Sequence, residues 1–431
     1  MKILVYLRKE PLKSFYTNLA TYISDKNFFS VSEFRNTGDI WLGKYLYQDN
    51  RTAFFDNDVA YDIYLRCRFL RKYPFEEAQI LINRMANGIL EVIQNNKPEI
   101  ILAPLIDNYT LDILERISRK NNITYISFVG HFFNGYSRIS SRGEYNYFPR
   151  EVTNNEVESV FTLLNKTDYT PFFHQKVKSS TQQKQTFLHK QLLKKYVYFP
   201  FMKIVERDPK NYHYNTTNEK SNKINYLLLK NVDKYFTKIS AISHSSNNIY
   251  LPLHLTPEAT VDYWCDDPNY GAFYMQNILN IIDNSSRNFH FLIKEHPAIY
   301  MLRNSEFYEK LLSYNNVTII HPYENSNELL EKVNYIFSEN GSVGVEALIR
   351  NKIVITNSHN YYSEFHPNIH RMNFISDIVA RLNVEKYDNK LFIKDILQGN
   401  MKGRLINNKN ISNSDTDLLF KQLKTYSQFK S

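Results

Sequence analysis

Two apolar runs in the C-terminal half of the chain end abruptly in polar and glycine residues. The first is Phe289-His-Phe-Leu-Ile-Lys-Glu-His-Pro297 and the second is Asn334-Tyr-Ile-Phe-Ser-Glu-Asn-Gly-Ser-Val-Gly-Val-Glu-Ala-Leu348, the latter continuing with helical spacing. A short apolar run bounded by turn residues and followed by a helix is how a parallel sheet brings polar groups to the carboxyl edge of its strands. Two such edges side by side make a ligand crevice, and the chain must then supply further strand–helix units to build the sheet.

It does. In the first half, Lys2–Leu7 reads as a strand, Leu12–Asp25 and Ala78–Asn95 as helices, and Pro98–Pro104 as a short buried strand. A helix over Thr110–Asn121 and a strand over Thr124–Val129 follow. The second series has strands at Asn248–Leu253, Phe289–Lys294, Val317–Ile320, Tyr335–Ser338 and Ile353–Thr356. This alternation predicts an α/β chain of two parallel sheets. Polar runs at 179–185 and 215–222 place the boundary between them. We expect an N-terminal Rossmann-like domain with a helical insertion over 1–240, a second Rossmann-like domain over 241–385, and a helical segment over 386–431 that packs back on the first domain.

At 431 residues each half can bury its own core, and 43% apolar residues exclude overall disorder. No stretch reaches the roughly 18 apolar residues of a membrane span, and the opening Met1–Arg8 is too short for a secretory leader. Cys67 and Cys265 are isolated and lack metal-ligand spacing, which fits a cytoplasmic protein. The net charge of +9 favours anionic partners. Its densest region runs from Lys176 to Lys203 and includes Lys184, Lys190, Lys194 and Lys195 among aromatic residues. That region reads as a solvated helix face or as a surface for an anionic membrane or acceptor. No nucleic-acid module accompanies it, so nucleic acid is not expected as a partner.

Three polar loops stand at strand ends in the second half. Ser338 closes a strand, Gly341 suits a tight turn, Ser342 can cap the next helix and Gly344 permits close backbone approach. Such a helix start favours anions, with Glu346 one turn in, facing ribose hydroxyls or simply the helix dipole. Lys294-Glu295-His296-Pro297 offers two cationic groups, of which His296 could protonate a leaving oxygen. The third loop, Leu251–Thr260, carries His254 and Glu258. Each alone is as easily an ordinary turn; three in one domain are harder to ascribe to chance. Asp56-Asn57-Asp58 imitates a metal motif but precedes a helix and reads as its cap.

The order Leu-His-Leu-x-Pro-Glu-Ala, Lys-Glu-His-Pro, Asn325-Ser326, Glu-Asn-Gly-Ser-Val-Gly-Val-Glu-Ala resembles the bacterial capsule polysaccharide biosynthesis family, over about 250–365. That family includes Kdo transferases and is related to polysialyltransferases. The resemblance implies a GT-B glycosyltransferase of capsule or lipopolysaccharide synthesis. Its donor would be a CMP-activated ulosonic acid of the Kdo, sialic or pseudaminic type, and its acceptor a glycan or glycolipid. It implies no metal, no cofactor beyond the nucleotide sugar, and a cytoplasmic enzyme able to touch the inner membrane. Carried over, Lys294, His296, Pro297, Ser338, Asn340, Gly341 and Ser342 would hold the nucleotide and its phosphate, with Glu346 at the ribose and Glu258 near the cleft. Where relatives have Thr-Gly-Thr or Thr-Gly-Ser, this chain has Asn340-Gly341-Ser342.

The catalytic carboxylate is expected in the first domain. Some relatives carry an acidic pair before a glycine, whereas Val129–Gly135 here offers only His131. Asp107, His131 and Glu144 are the candidates for the base, and Arg138 and Arg142 could hold an acidic substrate. A sugar-nucleotide 2-epimerase and a non-catalytic GT-B scaffold are the competing readings.

Overall fold

The computed structural model describes residues 1–10, 12–49, 52–166, 169, 189–190, 192–205, 208, 210, 232–256, 258–300, 302–404 and 413–430. Lys176, Lys184 and Phe187 of the basic region therefore lie outside the described residues.

The first sheet contains β1 (Ile3–Tyr6), β2 (Phe28–Ser32), β3 (Ile40–Trp41), β4 (Ile100–Leu102) and β5 (Thr124–Ile126) in the order β3-β2-β1-β4-β5, every pair parallel. Period-2 alternation assigns its two faces. Ile3, Val5, Ile100 and Leu102 pack into one buried cluster, and Leu4, Tyr6, Ile101 and Ala103 into the other. With both faces covered, the strands read as unbroken apolar runs, each fully buried large side chain contributing about 1.5–3 kcal/mol. The helix Phe75–Asn96 contains the expected segment and stops at Lys97, which adopts the left-handed conformation. Tyr109–Lys120 begins at Asn108, whose Oδ1 accepts from Leu111 N at 2.9 Å. Asp56 caps Asn57–Arg66 in the same way, accepting from Val59 N at 2.8 Å.

The strand expected over Thr124–Val129 is two strands. β5 ends at Ile126, and β6 (Phe128–Gly130) enters a separate antiparallel sheet with β7 (Tyr136–Ile139). The second parallel sheet holds β8 (Asn248–Pro252), β9 (His290–Lys294), β10 (Val317–Ile320), β11 (Tyr335–Phe337), β12 (Ile353–Thr356) and β13 (Ile369–Arg371), ordered β10-β9-β8-β11-β12-β13. Ile249, Leu251, Phe291, Ile293, Ile353 and Ile355 face one layer of helices; Tyr250, Leu292, Ile336 and Val354 face the other.

The chain then returns to the first domain. β14 (Asn400–Lys402) pairs antiparallel with β7, and Leu419, Phe420 and Leu423 of the helix Asn413–Lys430 join the cluster of Phe15 and Tyr16. The architecture is α/β of the GT-B kind, with C-terminal elements packed on the first domain as expected. Among the described residues, no helix is long and apolar enough to cross a membrane.

Candidate functional site

In both parallel sheets strand order reverses beside the first strand of the series, and the crevice of an open α/β sheet forms at that reversal, outside the carboxyl ends of the strands. In the second sheet the reversal lies between β8 and β11. The loops leaving these strands meet: His254 Nε2 lies 3.2 Å from Glu339 Oε2, and a Cβ on Gly341 would sit 3.6 Å from His254 Cε1. Glu339 is buried and also accepts from the hydroxyl of Tyr270, while its backbone carbonyl accepts from Asn360 Nδ2 at 2.7 Å.

Alternation separates the two charged residues at the end of β9. Lys294 shares the parity of Leu292 and faces the layer containing the helix Val343–Ile349; Glu295 faces the opposite layer. Lys294 is buried, donates to Pro322 O at 3.0 Å, and is pushed down to about 8 by desolvation, opposed first by the charge of Glu346. Glu346, only partly buried as a residue, has its carboxyl pushed up to about 7 by desolvation, against offsets from Arg350, Lys294 and the Ser342 hydroxyl. The two groups thus form a coupled acid and base near neutrality, a pattern common where a site must change charge.

Glu295 is wholly buried. It accepts from Arg303 Nε at 2.6 Å and Nη2 at 3.0 Å, and from Tyr308 Oη at 2.7 Å. Arg303 also donates to His254 O at 3.0 Å and Thr256 Oγ1 at 3.1 Å, so this pair pins the β8 loop to the β9 loop. His296 Nδ1 accepts from Ala298 N at 3.2 Å, leaving Nε2 to carry the proton of the neutral ring. Pro297 is the first residue of the short turn that follows.

The glycine turn corrects one expectation, the capping role of Ser342. Gly341 does not have a positive φ; it is needed for room, because a Cβ there would lie 3.0 Å from Ser338 Oγ. Ser342 occupies the N-cap position in a helical conformation and its side chain does not cap. Gly344 serves close approach as expected, since a Cβ would lie 2.2 Å from Tyr362 Oη, which donates to Gly341 O at 3.1 Å. The helix Val343–Ile349 has seven residues, so cationic side chains must supply most of any anion stabilisation. Asn340 Nδ2 donates to Thr260 O at 3.2 Å, and Glu258 accepts from Thr260 Oγ1 at 2.8 Å, so both brace the segment between β8 and β9. A cavity of about 240 Å³ opens at the carboxyl ends of β12 and β13, lined in part by Asp267, Tyr270, Asn357 and Phe374.

In the first sheet the reversal lies between β1 and β4, and there Asp107 forms a two-pronged ion pair with Arg8, one contact at 2.8 Å. Beside it the buried Glu33 accepts from Thr110 Oγ1 at 2.6 Å and Asn108 Nδ2 at 3.2 Å. Glu144 accepts from Ser141 N at 2.6 Å, Arg142 N at 2.5 Å and Ser141 Oγ at 2.9 Å, and these bonds hold its pKa low despite burial. It organises its own loop and is poorly suited to take a proton. Arg142 is committed to Asp112 and Glu115, one end of an ionic ladder continuing through Arg116 and Asp62 to Arg66. Arg142 is therefore not positioned to receive substrate. Burial and the charge of Arg138 hold His131 well below its ordinary pKa, and its Nδ1 accepts from Phe133 N at 2.9 Å. A neutral ring so arranged carries its proton on Nε2 and acts as a donor, not a base.

The halves are joined through residues 259–272. Arg66 donates to Cys265 O at 2.8 Å and Asp266 O at 3.0 Å, Arg71 to Ala272 O at 2.9 Å, and Arg68 pairs with Asp262. Tyr263 and Trp264 insert into the core of the first domain. Among the described residues, no three His, Cys, Asp or Glu side chains converge as metal ligands.

Residues 160–365 match the family model of capsule polysaccharide biosynthesis proteins, a span that includes β8 to β12. Over that segment the chain is similar to the capsule polysaccharide biosynthesis family. No curated protein matches the sequence significantly. Among solved structures, the β-Kdo 2,7-transferase KpsC of Thermosulfurimonas dismutans is similar at 9% identity and TM-score 0.40, covering 99% of each chain. The β-Kdo 2,4-transferase KpsC of the same organism shows 13% identity and TM-score 0.36 over 78% of this chain and 93% of that one. The UDP-GlcNAc 2-epimerase of Methanocaldococcus jannaschii shows 14% identity and TM-score 0.25 over 99% of this chain and 100% of that one. Likenesses this distant assign no activity to this chain.

Sequence reading missed Arg8, Glu33, Arg303, Glu339 and Tyr362. Their roles rest on partners from other strands and loops, and only Glu33, directly after β2, and Glu339, two residues after β11, carried a local signal by their place at a strand end.

Proposed function

We propose that this protein is a glycosyltransferase of bacterial surface polysaccharide synthesis. The match of residues 160–365 to the capsule polysaccharide biosynthesis model supports the pathway. The observation that supports the chemistry is the meeting of the β8 and β11 loops at the reversal point of the second sheet, with Lys294 and Glu346 behind it. In this reading the nucleotide sugar lies across that crevice. Lys294, His296 and the Ser338–Ser342 turn neutralise the departing phosphate, a role that fixed cationic and N–H donors perform without a metal. Glu346, near neutrality, can accept from or donate to a sugar or ribose hydroxyl. The acceptor sits against the first domain, where Asp107 at the β4 end is the remaining candidate base. It would first have to loosen its pairing with Arg8. The donor we favour is a CMP-activated ulosonic acid, and basic residues such as Lys190, Lys194 and Lys195 would bring the enzyme to an anionic membrane face.

The test is nucleotide release from CMP-Kdo, CMP-sialic acid and UDP-GlcNAc, each with and without capsule-type acceptors. Acceptor-dependent CMP release is expected. Release of UDP without acceptor would favour an epimerase, and binding without turnover would sink the transferase reading.

A further inference from the structure

At the centre of the β6-β7-β14 sheet, Arg138 pairs through its backbone with Val129 on one side and Asn400 on the other. Its neighbours Ser137 and Ile139 face the first domain's interior side, so Arg138 projects from the opposite face, toward the second domain. There its guanidinium lies 3.8 Å from the ring centre of Tyr361 and 5.6 Å from that of Trp264. Arg138 is 5% exposed, yet its Nε and Nη1 have no hydrogen-bond partner. Glu144, the nearest acidic influence on it, is bound within its own loop.

Arg138 is not alone. His131, 3% exposed, stacks edge-on against the same Tyr361 at 5.2 Å, and its Nε2 is unpartnered. Trp264, 9% exposed, likewise has an unpartnered Nε1. Three buried side chains from both halves of the molecule therefore offer N–H groups with no acceptor. A buried donor without an acceptor is costly and uncommon, and a buried guanidinium without an anion more so. Such costs persist where a site is shaped for a ligand.

We propose that Arg138, with the Nε2–H of His131 and the indole N–H of Trp264, forms the receptor for a substrate carboxylate where the two halves of the molecule meet. Charge selects the ligand class. The cluster supplies one full positive charge, because His131 is neutral, and a guanidinium edge matches the planar two-oxygen face of a carboxylate. A doubly charged phosphate would be better served by Lys294 and the β9 and β11 loops. Tyr361 links the two regions, since it feels both Arg138 and Glu346. The receptor makes the substrate a sugar acid and rests on the proposed transfer reaction, of which it names the specificity element.

The test is titration calorimetry on the full chain with free Kdo and N-acetylneuraminate, their methyl esters, galactose 1-phosphate, and CMP as a separate nucleotide probe. The wild type should bind at least one acid about tenfold more tightly than its ester. Arg138→Gln should abolish that discrimination and leave CMP binding unchanged, and Arg138→Lys, which keeps charge but loses the fork, should restore only part of it. Thermal unfolding distinguishes a packing role. Without ligand, Arg138→Gln should be as stable as the wild type or more so, because an unpaired buried charge is removed. Equal binding of acid and ester, a preference for the sugar phosphate that depends on Arg138, or marked destabilisation of the variant would each overturn the assignment. Loss of CMP binding by the wild type, with acid discrimination intact, would instead defeat the nucleotide-site reading.

Discussion

Glu346→Gln is the sharpest test of the electrostatics behind the second-domain site. Burial raises this carboxyl from 4.5 to about 7, a displacement of about 2.5 pH units. At roughly 1.36 kcal/mol per unit, the charged form costs the fold about 3 kcal/mol. The sign follows from linkage. A raised carboxyl pKa contributes its stability fully below 4.5 and loses it as pH climbs through about 7. The wild type should therefore become less stable across that window, and a glutamine, which never ionises, should not share the loss. Urea unfolding followed by circular dichroism at pH 4 and pH 8 measures both chains, and their difference cancels the titrating groups that do not interact with Glu346. Relative to the wild type, Glu346→Gln should gain about 3 kcal/mol at pH 8 over its value at pH 4. Parallel pH profiles for the two proteins would refute the desolvated pairing with Lys294.

Other outcomes follow from the same contacts. Arg303→Met strands the wholly buried Glu295 and should cost about 3–5 kcal/mol in thermal unfolding, whereas the double change Glu295→Gln with Arg303→Met should cost less than the single one. If the double variant is the worse of the two, the pair does not act as a charge pair. His296→Ala should abolish turnover while leaving circular dichroism and the melting temperature near wild type, since the ring's bond to Ala298 N at 3.2 Å stays within its own turn. Retained activity would remove His296 from the site.

The second sheet was largely legible because its strands are buried on both faces. Val317–Ile320 and Ile353–Thr356 stand where their apolar runs predict, and Lys294 and Glu346 share a region as the motif order suggested. The edge strand Ile369–Arg371 was not legible, being short, polar and exposed on one side. Nor was the break at Ser127, which transfers the chain from one sheet to another without a glycine or proline to mark it. In the first-domain site, residue type was visible but partnership was not. Asp107 looked like a free acid because its partner Arg8 lies 99 residues away. Arg138 and Arg142 looked alike in sequence. Only the fold shows that Arg142 is held by Asp112 while Arg138 keeps two unpartnered N–H groups.

The central claim is that the nucleotide sugar occupies the crevice where β8 and β11 diverge. A crystal structure with a CMP-sugar, or with CMP, measures this directly. The account predicts the phosphate within hydrogen-bonding distance of the Ser338–Ser342 turn and within reach of Lys294 or His296, on the side facing the first domain. A nucleotide seated elsewhere, for example in the cavity between Asp267 and Phe374 with the β8–β11 crevice closed, would contradict it.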